Sequence, residues 1–228
     1  MTTGMMTRVH KIWCVILCGV CGASVPAHAA PPLRWGDVFQ IRASTQAVHF
    51  KASYVDGAGR SHTLEEWRDG DRRVRRQTDQ NRVTLYMKTE AGKVKYEVVD
   101  HGRKVRYGVS QSNLALLGLI VSPEELVTAI GRPKVEYVVT VSRRKTQKTP
   151  AGSCQWYRID TTKHAAIEEI CWSRTWGLPL LVEVPDGAAR KTIFSIAEVS
   201  GNPPPDAFEV KEQDFLFVDV DRDLVGDD

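Results

Sequence analysis

Apolar and polar side chains alternate with a period of two over most of the chain after residue 46, a pattern typical of half-buried β-strands. Gly, Asp and Asn residues separate the alternating runs, and these residues favour tight turns between antiparallel strands. The pattern therefore predicts a long antiparallel meander. The predicted strands are Ala47–Val55, Arg60–Arg68, Arg72–Thr78, Val83–Lys88, Val94–Val99, Lys104–Val109, Val135–Val141, Cys154–Thr161, Ala166–Trp172, Leu178–Val184 and Lys191–Val199.

Three stretches depart from this period and predict short helices. Leu33–Ala43 has the spacing of a short amphipathic helix. Ser112–Val121 is the most apolar stretch outside the leader, and Ser122 before Pro123 is a helix N-cap signal. Alternating strands leave an apolar face that must be covered, so we expect the last two stretches, as two short helices or one broken helix, to fill one mouth of a curved sheet.

Two further segments are predicted to be irregular. Ser142–Gly152 is polar and predicts a loop, and Pro203–Pro205 ends regular strand pairing because proline donates no ladder hydrogen bond. Phe215–Val218 is expected to dock on the body of the protein. The acidic tail, residues 219–228, is expected to fray.

The first residues have the features of a secretory leader. A basic start with Arg8 and Lys11 precedes the apolar run Ile12–Val25, and small residues around Ala29 suit a cleavage site. The sequence therefore predicts a signal peptide over residues 1–29, a single domain over residues 30–228, and a periplasmic location. The apolar run is too short for a comfortable membrane span, so we expect a protein that does not span the membrane.

Export changes the interpretation of the cysteines. Three of the five lie in the leader, which leaves Cys154 and Cys171 in an oxidising compartment. They fall on consecutive predicted strands, and we expect them to form a structural disulfide. A catalytic pair is disfavoured, because no surrounding residue would lower a thiol pKa.

Charge and motifs exclude several function classes. The net charge is +3, and loss of Arg8 and Lys11 with the leader leaves 29 basic against 28 acidic side chains, a balance that gives no argument for nucleic-acid binding. The remaining histidines lack metal-ligand spacing, and no nucleophile elbow or phosphate-binding glycine loop occurs. The sequence therefore predicts no cofactor, no metal and no catalytic residue.

Two groups of residues are candidate binding sites. Large apolar side chains could line a cavity if the sheet is curved and incompletely filled, although such residues are more often core. Basic residues on one predicted strand could bind anionic head groups or an acidic partner, or could simply be solvated and resist edge pairing. The cavity candidates are Trp67, Tyr86, Tyr96, Leu116, Leu117, Tyr157 and Trp172, and the basic candidates are Arg72, Arg73, Arg75 and Arg76.

The stretch around the second cysteine also resembles a known family. Cys154-Gln-Trp-Tyr-Arg-Ile is followed by Glu169-Ile-Cys-Trp172 and Gly177-Leu-Pro-Leu180, then by an Asp-Gly turn and another strand. This order resembles the Lol-type lipoprotein carrier superfamily and the amino-terminal domain of RseB/MucB-type regulators. The resemblance covers Trp35 to Phe208. No arginine of the sequence can be assigned to the role of the one that holds the helical lid in the carriers.

The resemblance implies a fold and a function. It implies an unclosed antiparallel half-barrel of about eleven strands, with short helices in its mouth. It also implies non-catalytic binding of a lipid, a lipoprotein acyl chain or a hydrophobic protein segment in the concave face. The alternative is an envelope stress-sensing or assembly adaptor that binds another envelope protein through its surface. An enzyme is a weaker alternative, because no acid–base pair can be named.

Overall fold

One β-sheet of thirteen strands organises the chain in the computed structural model, which describes residues 32–40, 47–79, 83–117, 119, 122–161 and 168–224. The predicted leader lies outside these residues. The strands are β1 Val48–Val55, β2 Ser61–Asp69, β3 Arg73–Thr78, β4 Val83–Glu90, β5 Lys93–Asp100, β6 Val105–Val109, β7 Tyr137–Val141, β8 Gln147–Thr149, β9 Gly152–Thr161, β10 Glu168–Ser173, β11 Leu178–Asp186, β12 Ala189–Gly201 and β13 Leu216–Asp219.

The helices of the described residues are few and short. Three are α-helical, and two more segments form 3-10 helices. The α-helices are α1 Trp35–Val38, α2 Pro123–Thr128 and α3 Val220–Leu224, and the 3-10 helices are Gln111–Leu117 and Pro205–Phe208. No helix in this part of the chain is long and apolar enough to cross a bilayer.

The strands run in the order β13-β6-β5-β4-β3-β2-β1-β12-β11-β10-β9-β7, and β8 pairs with β9 beside this path. The pairing found in the described residues does not join β13 to β7, so the sheet is unclosed and curved. Register shifts interrupt the pairs β1–β12, β10–β11 and β11–β12, and such bulges bend and twist a sheet. The predicted mainly β fold is confirmed, with more strands than the eleven expected.

Local turn chemistry explains why the meander is regular. Gly59 and Gly70 adopt φ values of +80° and +58° in the turns after β1 and β2, a region that glycine enters without steric cost. Asp56 accepts backbone hydrogen bonds from Ala58 and Arg60 across the first turn. These turns set the register of the strands that follow.

The two faces of the sheet differ in what covers them. We call the face that carries Phe50, Leu64 and Val74 the inner face, because α1 and α2 pack on the same side. In-register neighbours share a face, so the row Trp67, Arg75 and Tyr86 lies on the opposite, outer face. Most of the buried apolar side chains belong to the inner face.

The inner face is covered by the predicted short helices. The Ser122 hydroxyl accepts a hydrogen bond from the Glu125 amide, which confirms the predicted N-cap, and Pro123 opens α2. Leu126 and Val127 of α2 are buried against β3 to β6. The first helix is shorter than predicted: α1 is one turn, and the end of the predicted Leu33–Ala43 helix falls outside the described residues.

The predicted disulfide between Cys154 and Cys171 is confirmed, with the Cα atoms 5.2 Å apart. Cys171 pairs in register with Trp156 rather than with Cys154, so the bond runs diagonally between β9 and β10. The two cysteines are 17 positions apart in the sequence. Closing a loop of this size contributes about 3 kcal/mol, because the bond restricts the conformations of the unfolded chain.

The C-terminal residues run back across the outer face. We call residues 202–224 the C-terminal segment. The backbone carbonyl of Ala207 accepts a hydrogen bond from Arg75, and the guanidinium of Arg73 lies 4.5 Å from the centre of the Phe208 ring. Beyond them, β13 pairs with β6, and this is the one parallel pair among the described strands.

Two segments that were predicted to be irregular contain regular secondary structure. The tail predicted to fray from Asp219 instead contributes Asp219 to β13 and residues 220–224 to α3, because Asp221 accepts hydrogen bonds from Ser110 and Asn113. The last four residues lie outside the described part. The predicted loop Ser142–Gly152 contains β8, which pairs with β9.

Candidate functional site

One opening on the inner face is a cavity of about 410 Å³ between the sheet and the C-terminal end of α2. Its size falls within the usual range of small-molecule sites. Its lining is mainly apolar, with few charged groups. The lining residues are Tyr54, Val55, Leu64, Arg76, Thr78, Val83, Leu85, Leu119, Glu125, Ala129, Ile130, Gly131, Glu168, Val182, Ile193 and Phe194.

The sheet and α2 meet at this cavity for reasons visible in the sequence. Alternation on β1 to β4 directs Tyr54, Leu64 and Leu85 to the inner face, and β12 adds Phe194 opposite Tyr54. Helix α2 ends at Thr128, and the next residue, Ala129, adopts a left-handed φ of 59° and turns the chain over the cavity. The wall formed by strands and the wall formed by the helix end therefore come from distant parts of the chain.

Two arginines hold the C-terminal end of α2 against the sheet. Arg76 Nη2 donates to the carbonyls of Glu125 and Leu126 at 3.5 and 3.2 Å, and Arg68 Nη1 donates to the carbonyl of Val127. The last carbonyls of a helix lack partners within the helix and carry partial negative charge. Guanidinium groups satisfy them and complement the helix dipole.

Arg68 also joins α2 to a second part of the fold. It donates to the carbonyls of Trp176 and Gly177 at 2.7 and 3.3 Å, in the turn between β10 and β11. Burial lowers the pKa of Arg68 to about 10, which still leaves it charged at neutral pH. The fully buried Arg68 thus connects α2 both to β2, on which it lies, and to the turn between β10 and β11.

The buried carboxylate that balances these arginines is Glu66. Its Oε2 lies 2.6 Å from Arg76 Nε, and the side chain is completely buried. Burial raises the pKa of Glu66, and the nearby charges of Arg76 and Arg68 oppose that shift. Buried charges are costly unless they are paired and hydrogen-bonded, so this cluster depends on α2 staying in place.

Glu168 on β10 is the other acidic group with a shifted pKa on the inner face. Burial raises the pKa of its carboxyl group. On the same face, β10 contributes Ile170, which packs in the core near Val182. The carboxyl of Glu168 therefore lies among apolar side chains at the cavity.

A histidine cluster lies beside the cavity where β1 and β2 meet their turn. His62 Nδ1 is 2.7 Å from Asp79 Oδ2, and its Nε2 is 3.1 Å from Asp56 Oδ2. The imidazole stacks on Tyr54, with ring centres 5.0 Å apart. Hydrogen bonds to Asp79 and then to Asp56 raise the pKa of His62.

None of the seven residues predicted to line a cavity is among those that line this one. Trp67 stacks on His49 on the outer face, at 4.8 Å, and Tyr86 lies beside Arg75 on the same face. Burial raises the pKa of Tyr86 to about 12. The remaining five are core or surface residues: Tyr96 and Leu117 pack with the residues beneath α2, Tyr157 and Trp172 pack on Phe39, and Leu116 is exposed.

The four arginines predicted as a basic patch do not share one surface. Arg73 and Arg75 lie on the outer face under the C-terminal segment, while Arg76 faces inward to Glu66. Arg72 is exposed in the turn and pairs with Asp69. The alternation of the strand divides them, and that division was already visible in the sequence.

Sequence reasoning missed Arg68, Glu66, Glu125 and Glu168, and it named Arg76 only as part of a basic patch. Glu66 and Arg68 share the parity of Leu64 on β2, so their positions on the inner face could have been read from the alternation. Charged residues are rarely buried, so a charged residue at a position that faces inward is unusual. That exception was the available signal in the sequence.

Comparison with known proteins gives no assignment. The chain matches no protein-family model, and it matches no curated protein.

Proposed function

We propose that this chain is an exported, periplasmic, non-catalytic binding protein. Its sheet forms a half-barrel, and the concave inner face takes a lipid or acyl chain beneath the helix α2. The observation that carries this proposal is the mainly apolar cavity of about 410 Å³ between the sheet and α2. Burying an acyl chain there removes apolar surface from water, which is worth about 25 cal/mol per Å².

The way α2 is held supports a binding cavity with a helical cover. The helix is short, and polar contacts from Arg68 and Arg76 supplement the packing of its buried residues. The family that the chain resembles also holds a helical lid through an arginine. In this chain Arg68 and Arg76 are the residues suited to that role, because both bind carbonyls at the helix end.

The first test is native mass spectrometry with lipid extraction on mature protein purified gently from a bacterial periplasm. We expect a bound lipid or acyl species that leaves with organic solvent. The test is made sharper by Ile193→Trp, which places a large ring in the cavity lining. That variant should carry roughly tenfold less ligand, because steric filling removes the space that the chain would occupy.

Thr192→Trp is the matched control, because Thr192 is exposed on the same strand and does not line the cavity. It should keep the ligand content of the wild-type protein. A wild-type protein that carries no lipid, and that takes up no fluorescent fatty acid after purification, would contradict the proposal.

The adaptor alternative has less support. Its strongest sequence feature was the arginine-rich strand β3, and the arginines of that strand are divided between two faces and engaged with Glu66, Phe208 and Ala207. A partner would have to displace these contacts to reach them.

A further inference from the structure

The charges at the cavity point to one kind of ligand head group. Arg76 is the cavity's positively charged lining residue among those described, and it is already paired with Glu66 and with the α2 carbonyls. Two carboxyl groups, those of Glu125 and Glu168, line the same space. The group that would meet a ligand at this cavity is therefore acidic rather than basic.

Both carboxyl groups are placed at the cavity by independent observations. Glu168 lies on the inner face of β10, opposite the buried Ile159, and is half-buried. For Glu125, a methyl group built on Gly131 would lie 3.3 Å from its Oε2, and Gly131 itself lines the cavity. The two residues approach the space from the sheet wall and from the helix wall.

Neither carboxyl group has a hydrogen-bond or ion-pair partner within the described part of the chain. Other acids near this region are engaged: Asp56 and Asp79 hold His62, and Glu66 holds Arg76. A half-buried carboxylate without a partner gains free energy when a cation or hydrogen-bond donor reaches it. An anionic head group would instead meet like charge in a poorly solvated space.

We propose that the cavity selects an amphiphile with an apolar chain and a primary ammonium head group, which is held between Glu125 and Glu168. This inference rests on the proposed function, since it names the ligand class of the same cavity. The apolar lining takes the chain, and the two carboxylates, one on each wall, receive the three donors of the ammonium group. Specificity then comes from the head group and affinity from the chain.

The test compares three ligands with the same ten-carbon chain: decylammonium, decanoate and decan-1-ol. Each is titrated by calorimetry into delipidated mature protein, below its aggregation concentration, at low salt and at mildly alkaline pH, so that the carboxyl groups are ionised. We expect decylammonium to bind roughly tenfold more tightly than decan-1-ol, a difference of about 1.4 kcal/mol, with decanoate the weakest, because hydrogen bonds between charged groups are stronger than those between neutral groups.

Two isosteric variants test whether Glu125 and Glu168 bind the ammonium head group. Glu168→Gln and Glu125→Gln should each reduce decylammonium affinity by roughly fivefold to tenfold and leave decan-1-ol affinity unchanged. Glu198→Gln is the matched control, because Glu198 lies on β12, pairs with Lys51 and does not line the cavity. It should bind all three ligands like the wild-type protein.

The outcomes separate the inference from the proposed function. Decanoate or decan-1-ol binding as tightly as decylammonium would overturn the head-group inference while leaving an apolar binding cavity. Equal loss of all three ligands in the glutamine variants would also overturn it, because that result indicates a structural effect. If none of the three ligands binds to wild-type protein, the proposed function fails as well.

Discussion

At the scale of single residues, the inner face buries charged side chains, which in most proteins lie at the surface. Glu66 and Arg68 are fully buried on β2, while Trp67 between them lies on the outer face. Glu66 pairs with the guanidinium of Arg76, and Arg68 donates to the carbonyls of Val127 and Trp176. Such arrangements are costly when one partner is removed, so these residues make the position of α2 specific.

His62 provides a prediction at the same scale. Its hydrogen bonds to Asp79 and Asp56 raise its pKa above the ordinary value of 6.5. A raised folded-state pKa gives stability that is fully present below the unfolded value and is lost as the pH rises through the folded value. We therefore expect the His62 contribution to fall as the pH increases above 6.5.

The measurement is an NMR titration of the His62 ring nitrogens, with urea unfolding at several pH values. Asp79→Asn should move the His62 pKa back towards its ordinary value, because the strongest hydrogen bond to the imidazolium is weakened. His62→Gln should remove this part of the pH dependence. A His62 pKa at or below 6.5 in the wild-type protein would contradict the assignment.

At the scale of elements, α2 depends on contacts from the sheet more than on its own length. It has six residues, and isolated helices shorter than about 12 residues are marginal in water. Ser122 caps its first turn, and Arg68 and Arg76 satisfy carbonyls in its last turn. The helix therefore forms as part of the inner face.

Arg68→Met tests that dependence. The methionine keeps much of the packed stem but leaves the carbonyls of Val127 and Trp176 without their donor. We expect the free energy of unfolding to fall by about 3 kcal/mol, from unsatisfied buried groups and the altered charge of the cluster. Urea unfolding measures the loss, and hydrogen exchange should show faster exchange in α2.

Arg72→Met is the matched control, since Arg72 is 72% exposed in the next turn. A surface ion pair of that kind contributes little, so the change should stay within about 0.5 kcal/mol. Equal losses in the two variants would show that the buried contacts of Arg68 do not hold α2.

The elements also show where sequence reasoning succeeded. Strands joined by short turns were located well, because alternation and Asp-Gly chemistry are local signals. The strands β8 and β13 were missed as strands because their pairing partners, β9 and β6, cannot be read from their own short sequences.

The cavity lining could not be predicted for a related reason. Alternation assigns side chains to two faces but does not say which face is hollow. Aromatic residues were expected at the cavity, yet Trp67 and Tyr86 lie on the outer face, where both rings contact Arg75. Curvature depends on bulges and on packing between distant strands, which the period of two does not encode.

At the scale of the whole molecule, the C-terminal segment connects the outer face with the cover of the inner face. Phe217 on β13 packs so closely on Gly108 that a methyl group there would lie 2.8 Å from the ring. Asp221 then accepts hydrogen bonds from the Ser110 backbone and hydroxyl and from the Asn113 amide, at 3.1, 2.9 and 2.8 Å. These residues begin the 3-10 helix that leads into α2.

This connection predicts that the C-terminal segment steadies the cover from the opposite side of the sheet. Burial raises the pKa of Asp221, but the hydrogen bonds from Ser110 and Asn113 outweigh it and lower the pKa overall. Asp221→Ala removes the acceptor, so residues 105–117 should exchange amide hydrogens roughly fivefold to tenfold faster, as local opening becomes less costly. Strands β9 to β11 should be unchanged, and so should a protein with Asp214→Ala, whose side chain is exposed on the same segment. Uniform acceleration over the whole sheet would instead mean that Asp221 contributes to global stability and has no particular relation to the cover.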